Sequence, residues 1–270
     1  MNIKRTTLLP TLAFVVLLGL QVCVSTAKGQ APGQAPGQAP AQGQAARPAQ
    51  GQRTGMPQAN TPIQSDTTRS ITTHFTLATK TPIAPDAKGF IRRWLVLEPI
   101  NKPNRGNTVF IDSYLRTNFA MEYFPNQMTI MPKHGDVVKT ADQELKWYAL
   151  DSKMFNFKLF RLSYALNKPQ YSVLFWMVTV VNATEDIKNV RLAAGSNSAS
   201  MWWVNGQEAL LLSGDRRMVA DDGTSKRLTL KKGKNIVRGA VINGPGMSDF
   251  CVRFLDEKGQ PVKNITISCE

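Results

Sequence analysis

A series of short apolar segments, separated by turn residues, begins near residue 70 and continues to the end of the chain. Most are five to nine residues long and rich in β-branched and aromatic residues, a composition typical of β-strands. In order they are TTHFTLAT, FIRRWLVLEPI, ELKWYAL, FKLFRLSYAL, YSVLFWMVTVV, NVRLAAG, SMWWV, QEALLL, KRLTL, NIVRGAVI, DFCVRFLD and VKNITIS. So many strands with little helix between them predict antiparallel sheets, and an all-β sandwich of jelly-roll type is the leading architecture.

Two segments of the predicted domain have distinctive patterns. YSVLFWMVTVV, residues 171–181, is apolar at both alternating sets of positions, which predicts a central strand buried on both faces. DSYLRTNFAMEYF, residues 112–124, is the best helix candidate, and Asp112 or Ser113 is expected to cap its start. The domain is therefore predicted to contain at most one or two short helices.

The N-terminal residues indicate export. The stretch MNIKRTTLLPTLAFVVLLGLQVCVSTAKG begins with basic Lys4 and Arg5, continues with apolar residues and ends in small ones. This is the pattern of a secretory signal peptide, predicted over residues 1–27. A transmembrane anchor and a lipoprotein signal that lipidates Cys23 are the two alternatives. We expect the protein in the periplasm, at the cell surface or outside the cell.

Residues 28–69 are dominated by Gln, Ala, Pro and Gly and contain the repeat GQAPGQAPGQAP. Such a segment cannot bury enough apolar surface to offset the entropy lost on ordering, so it predicts a disordered linker. The folded β-sandwich domain is accordingly predicted over residues 70–270.

Three turn sequences predict β-hairpins. Asn205-Gly206 joins SMWWV to QEALLL, and both residues tolerate the positive φ angles of a type I′ turn. Gly233 lies in the turn of LTLKKGKNIVR, and Gly259 and Pro261 lie in the loop of DFCVRFLDEKGQPVKNITIS.

The two cysteines of the predicted domain, Cys251 and Cys269, flank the third of these turns. A pair of cysteines in an exported chain suggests a disulfide, because the compartment is oxidising. The predicted hairpin brings the two residues close enough to form it. Two buried free thiols are the alternative.

The formal net charge is +14, and the predicted domain is itself basic because only six of the 33 Lys and Arg residues precede residue 70. An exported protein is not expected to bind nucleic acid. A basic surface in that location favours an acidic polysaccharide or an anionic cell envelope as partner. A solvated positive surface without a partner is the alternative.

Residue types that carry catalysis are sparse. The chain has two histidines, and we find no nucleophile-elbow, zinc-protease, Cys-x-x-Cys or phosphate-loop motif in it. His134 in PKHGD is the one histidine beside a turn-like acidic neighbour, and a structural role is expected for it. The doublet Asp221-Asp222 could donate oxygen ligands to calcium, although a solvated turn is the favoured interpretation. We predict no catalytic residues, no metal site and no cofactor.

Adjacent tryptophans in SMWWVNG pose the clearest question about function. Side chains alternate along a strand, so Trp202 and Trp203 should face opposite sides of the sheet. An outward indole offers a flat apolar surface that can stack on a sugar ring, while nearby polar side chains bind its hydroxyls. The alternative is that a loop or the linker covers the outer ring.

Three motifs in this order resemble those of galactose-binding-like jelly-roll modules attached to bacterial polysaccharide-degrading enzymes. They are W-x-x-x-x-P in FIRRWLVLEPINKPN, GS…W-x-N-G in AAGSNSASMWWVNGQEAL, and L-x-x-G-x-N…N-x-x-G…F-x-x-R-x-x-D…G-x-P in the last third of the chain. From Phe90 to Ser268 the chain looks like short secreted bacterial proteins labelled acetylxylan esterase. The resemblance implies the fold, export and a plant-polysaccharide setting, and it carries over no catalytic residue. It also implies that Trp203 lies inside the sheet core and Trp202 outside.

These features lead to three functional hypotheses. The first is a secreted, non-catalytic carbohydrate-binding or accessory module for plant hemicellulose such as xylan, with Trp202, Asn205, Arg216 and Arg217 as ligand-binding residues. The second is an acetylxylan esterase that removes acetate from xylan. The third is a structural or protein-interaction domain of the cell envelope. The sparse histidines and the missing nucleophile motif favour the first and the third.

Overall fold

The β-strands follow the short apolar segments along the part of the chain that the computed structural model describes, residues 69–104 and 106–270. The strands are β1 (Phe75–Leu77), β2 (Arg93–Leu97), β3 (Ile100–Asn101), β4 (Val137–Lys139), β5 (Glu144–Ser152), β6 (Val173–Ala183), β7 (Ile187–Ser196), β8 (Ala199–Val204), β9 (Gln207–Leu212), β10 (Gly223–Thr224), β11 (Leu228–Leu230), β12 (Gly233–Ile242), β13 (Phe250–Leu255) and β14 (Ile265–Ser268). The helices among the described residues are α1 (Asp112–Ala120), α2 (Leu159–Ala165) and two short 3-10 turns, Ile71–Thr73 and Asn107–Val109.

The strands form two antiparallel sheets. The large sheet has the order β1-β5-β2-β6-β12-β8-β9; β4 pairs with β5, and β3 and β14 pair with β6. The small sheet has the order β10-β7-β11, with β13 on β7. The predicted all-β fold, an antiparallel sandwich with at most two short α-helices, is confirmed.

An inner core lies between the two sheets and receives apolar side chains from both of them. Its largest members include Trp94, Phe157, Phe175, Trp202, Phe250 and Phe254. Strand β6 crosses the large sheet at its centre, and ten of its eleven residues are buried. The prediction that residues 171–181 include a strand buried on both faces is therefore confirmed.

An outer core covers the other face of the large sheet. It joins sheet residues such as Trp176 and Trp203 to side chains from residues 107–138, including Phe110, Leu115, Phe119 and Phe124. The predicted helix α1 belongs to this cover. Its expected cap is wrong, because Ile111 occupies the capping position and Asp112 is the first helical residue.

The segment FKLFRLSYAL was predicted as a strand, and this is wrong because residues 159–165 form α2. Leu159, Leu162 and Ser163 are the buried residues of this helix. Their spacing of three and four positions matches the period of a helix rather than the alternation of a strand. The segment therefore buries one helical face.

Two of the three predicted hairpins are also wrong. Strands β11 and β13 belong to the small sheet, whereas β12 and β14, which follow them, belong to the large sheet. The turns at Gly233 and Gly259 therefore lead the chain from one sheet to the other. The remaining hairpin is confirmed: β8 pairs with β9, and Asn205 and Gly206 have φ angles of 50° and 79°.

The predicted Cys251–Cys269 disulfide is wrong, because both cysteines are free. Phe250 and Val252 face the inner core, so Cys251 between them points away from it. Cys269 follows β14 of the large sheet and packs against the outer core. Both sheets lie between the two side chains, whereas a disulfide requires Cα atoms within about 7 Å.

Both thiols should resist alkylation in the folded protein. Burial raises the pKa of Cys251 and of Cys269 to about 12, and only the thiolate reacts at an appreciable rate. After brief treatment with iodoacetamide at about pH 8, peptide mass spectrometry should find both residues unmodified, because so little thiolate is present. Without reductant, both should be alkylated once denaturant has unfolded the chain. A disulfide-linked peptide, or rapid labelling of the native protein, would contradict this prediction.

The predicted signal peptide and the predicted linker up to residue 68 lie outside the described residues. Within residues 69–104 and 106–270, no helix is long and apolar enough to cross a membrane.

Candidate functional site

The residue proposed from sequence as the sugar platform, Trp202, is in the inner core. Its side chain is 0% exposed, and its ring lies 5.9 Å from the ring of Trp94 and 5.2 Å from that of Phe250. Its Nε1 donates a hydrogen bond of 3.0 Å to Ser200 Oγ. The prediction that Trp202 faces outward is therefore wrong, and the two tryptophans have exchanged faces relative to it.

The residue opposite Trp202 on the neighbouring strand explains this orientation. Gly239 of β12 pairs with Trp202, and a Cβ atom at Gly239 would lie 2.3 Å from the indole ring. The missing side chain thus leaves the space that the ring occupies on the inner face of the sheet.

The other three predicted ligand residues do not meet Trp202 in one site. Asn205 is engaged in the hairpin turn, since its Nδ2 donates to Asn235 Oδ1 at 2.9 Å and its Oδ1 accepts the N–H of Ile236 at 2.8 Å. Arg216 lies beyond the opposite end of β8, where its carbonyl accepts the N–H of Ser198. Arg217 is exposed in the same loop.

Each carboxylate of the acidic doublet Asp221-Asp222 is paired with an arginine. Asp222 accepts a 2.8 Å hydrogen bond from Arg216 Nε, and Asp221 accepts one of 2.9 Å from Arg253 Nε. The two carboxylates therefore belong to separate ion pairs and do not form one set of calcium ligands. No group of three or more metal-ligating side chains is found in the described part of the chain.

His134 makes a hydrogen bond that supports the fold. Its Nδ1 accepts the backbone N–H of Ala149 at 3.2 Å, which holds the loop before β4 against β5. It lines a cavity of about 260 Å³ with Cys269 and Glu270. Burial raises the pKa of Cys269 to about 12. His134 and Cys269 therefore do not provide an activated thiolate at neutral pH.

A different cavity, of about 420 Å³, opens between α1 and the β8–β9 hairpin on the outer face of the large sheet. We call it the Trp203 cavity, and its lining residues are Arg116, Phe119, Ala120, Met128, Met201, Trp203 and Glu208. Strand alternation places Met201 and Trp203 on this face, and α1 contributes Arg116, Phe119 and Ala120. The floor is apolar and the rim is charged.

Neighbouring aromatic rings hold Trp203 in place. Its ring is stacked on that of Trp176, with centroids 5.4 Å apart and planes inclined by 18°. Phe119 meets it edge-on at 6.3 Å. Trp203 is 6% exposed, so only a small part of the indole faces the cavity.

A β-bulge positions the charged rim. The register of β8 and β9 shifts between Trp202 and Trp203, so that Trp203 pairs with Glu208 and Ala209 is the extra residue. Glu208 thereby comes to the cavity and forms an ion pair with Arg116 of α1. The hydrogen bond to Glu208 raises the pKa of Arg116 above its usual value.

A second cavity of about 420 Å³ lies along the open edge of the sandwich between β9 and β11. Asn205 and Glu208 line it together with basic side chains such as Lys226, Arg227 and Lys231. Glu208 therefore borders both cavities. This second cavity has no aromatic lining residue, unlike the Trp203 cavity.

Sequence reasoning missed most of the Trp203 cavity. Phe119 and Met128 come from the outer cover, about eighty residues before Trp203 in the chain. The signal that pointed toward it was the pair of adjacent tryptophans, which requires a large ring on each face of the sheet. Nothing local showed that helix α1 would cover one of them.

A scan of the sequence against protein-family profiles finds no match, and neither does a search of curated proteins. Among solved structures, the chain is similar to a PA14 sugar-binding domain from an RTX adhesin, with 12% identity and a TM-score of 0.37 over 66% of this chain and 99% of that one. It is similar to the PA14 domain of the antifreeze protein MpAFP, with 11% identity and a TM-score of 0.39 over 72% and 96%. A β-glucosidase from Kluyveromyces marxianus matches with 18% identity and a TM-score of 0.29 over 47% and 13%.

Proposed function

We propose that this protein is a non-catalytic carbohydrate-binding module and that the Trp203 cavity is its sugar site. The observation that carries the proposal is an aromatic and apolar cavity with a charged pair at its mouth. A pyranose ring has apolar C–H faces and a polar circumference of hydroxyls. A cavity with this distribution of groups complements such a ring.

Each part of the cavity has a role in this proposal. The exposed edges of Trp203 and Met201 supply the apolar contact to one C–H face of the ring. The Arg116 guanidinium donates hydrogen bonds and the Glu208 carboxylate accepts them, so together they can bind vicinal hydroxyls. Both side chains are partly exposed, at 49% and 39%, and are therefore accessible to a ligand.

Xylan is the polysaccharide we propose as ligand. Support for it is the sequence resemblance to secreted bacterial proteins labelled acetylxylan esterase, which implies a hemicellulose setting. The galactose-binding-like type of module stays a prediction, and acetylxylan esterase activity stays the alternative hypothesis. Export, which a role on hemicellulose requires, rests on the signal-peptide pattern of residues 1–27.

Filling the cavity should weaken binding without opening the core. Ala120 is an exposed residue at the end of α1 and lines the cavity, so Ala120→Trp should occupy the space of the ligand. We expect the affinity for soluble xylan, measured by electrophoresis in xylan-containing native gels and by calorimetry, to fall about tenfold or more, the equivalent of roughly 1.4 kcal/mol. Unfolding in denaturant should hardly change.

Ser113→Trp is the matched control, because Ser113 is exposed in the first turn of the same helix and does not line the cavity. It should bind as the wild type does. Equal binding by Ala120→Trp and the wild type would remove the site from this cavity. A wild-type protein that binds no glycan on an array would remove the function itself.

A further inference from the structure

Two buried arginines lie on the outer face of the large sheet. Trp94 and Val96 of β2 face the inner core, so Arg93 points to the opposite, outer side. Arg238 of β12 pairs with Val178 and with Trp203, both of which belong to the outer core. The two residues are 1% and 4% exposed, respectively.

Arg93 has the partners that a buried guanidinium requires. Its Nε and Nη2 donate to the two carboxylate oxygens of Asp151 at 2.7 and 2.8 Å. Its Nη1 donates to the carbonyl oxygens of Thr79 and Thr81 at 3.0 and 2.6 Å. The charge and the hydrogen-bonding capacity of Arg93 are thus satisfied within the fold.

Arg238 lacks such partners among the described residues. Its Nη1 is buried without a hydrogen bond, and Nη2 meets the Met131 sulfur at 3.8 Å. No carboxylate within residues 69–104 and 106–270 forms an ion pair with it. Burial accordingly lowers the pKa of Arg238 from its usual value.

An unpaired buried charge lowers stability, and well-packed apolar residues often replace such groups at no loss. Packing therefore does not explain an arginine at position 238. Groups that are costly to the fold and lie beside a cavity are candidates for ligand binding.

Arg238 is next to the Trp203 cavity. It lies directly across the strand pair from Trp203, on the same face, where side chains are about 5 Å apart. Its cover is Met131, which is 38% exposed and follows the cavity residue Met128 by three positions. Methionine is unbranched and has several rotatable bonds, so its side chain can move aside at little cost.

We propose that the sugar bound in the Trp203 cavity carries a carboxylate, and that Arg238 binds this carboxylate once the Met131 side chain has moved aside. The inference rests on the proposed function and specifies its ligand class as glycans that bear uronic acid. A guanidinium binds a carboxylate through two parallel hydrogen bonds. The ligand would thereby supply the partner that the fold does not, and the basic charge of the domain would attract an acidic polymer.

The test compares one polymer in two forms, glucuronoxylan and the same glucuronoxylan after chemical reduction of its carboxyl groups. Calorimetry with the wild-type protein should show at least about tenfold tighter binding of the acidic form. Arg238→Met should lose most of this preference and bind the acidic form with an affinity close to that of the wild type for the reduced polymer, because only the long-range attraction of the basic domain remains. It should unfold at the same or a higher denaturant concentration, because an unpaired buried charge has been removed.

Arg217→Met is the control for long-range charge, because it removes an exposed arginine and should keep the preference for the acidic form. Arg238→Lys keeps the charge without the planar fork and should keep only part of the preference; it serves if Arg238→Met does not fold. Wild-type protein that binds both polymers equally, or a preference of full wild-type size in Arg238→Met or in Arg238→Lys, overturns this inference and leaves the proposed function standing. Failure to bind either polymer overturns both.

Discussion

Replacing Trp202 with alanine should lower the free energy of unfolding by about 3–5 kcal/mol, the range for a large buried aromatic residue. The ring is fully buried among Trp94 and Phe250, and Gly239 leaves the space into which it fits. Alanine would leave a cavity in the inner core between the two sheets. It would also leave the Ser200 hydroxyl without the indole N–H that it accepts. Equilibrium unfolding in guanidinium, followed by far-UV circular dichroism, measures the loss.

Tyr171→Ala is the control, since Tyr171 is 53% exposed and its ring contacts only Phe160 among the aromatic residues described. Its loss should be about 1 kcal/mol or less. A Trp202→Ala variant as stable as Tyr171→Ala would mean that the indole does not fill the inner core.

The second large effect is expected at Asp151. Asp151→Ala would leave the Arg93 guanidinium, 1% exposed, without its bidentate carboxylate. Removing one partner of a buried pair costs about 3–5 kcal/mol, because the remaining charge stays buried and uncompensated. The same unfolding measurement should show a loss of this size.

Glu144→Ala is the matched control, because it removes an ion pair with Lys139 whose side chains are 65% and 79% exposed. Exposed pairs of this kind contribute little. Asp151 and Glu144 both belong to β5, so the comparison isolates the effect of burial. Equal losses in the two variants would contradict our account of Arg93 and, with it, the contrast that singles out Arg238.

The sequence alone predicted the local features of the fold. Strand positions were predictable because the alternation of apolar residues and the punctuation by turn residues are properties of short segments. The doubly buried β6 and the Asn205-Gly206 turn follow from the same kind of local information. Helix α2 could also have been found this way, since Leu159 and Leu162 have helical spacing.

Which sheet each strand belongs to was not predictable from such local patterns. The turns at Gly233 and Gly259 are the kind that close hairpins, yet each connects a strand of the small sheet to one of the large sheet. A turn sequence specifies the local change of direction, whereas the partner of a strand is chosen by packing over the whole sandwich. The wrong disulfide followed from this error, because it assumed that Cys251 and Cys269 lay on paired strands.

The two tryptophans show most clearly which features the sequence determined and which the tertiary structure decided. Alternation along a strand, which the sequence determines, requires Trp202 and Trp203 to lie on opposite faces. Which face each ring takes was decided by residues distant in the chain: Gly239 leaves room for Trp202 inside, and Phe119 and Trp176 cover Trp203 outside. The Trp203 cavity and the unpaired charge of Arg238 exist only because these segments contact one another. Those contacts depend on tertiary packing and not on any property of one segment.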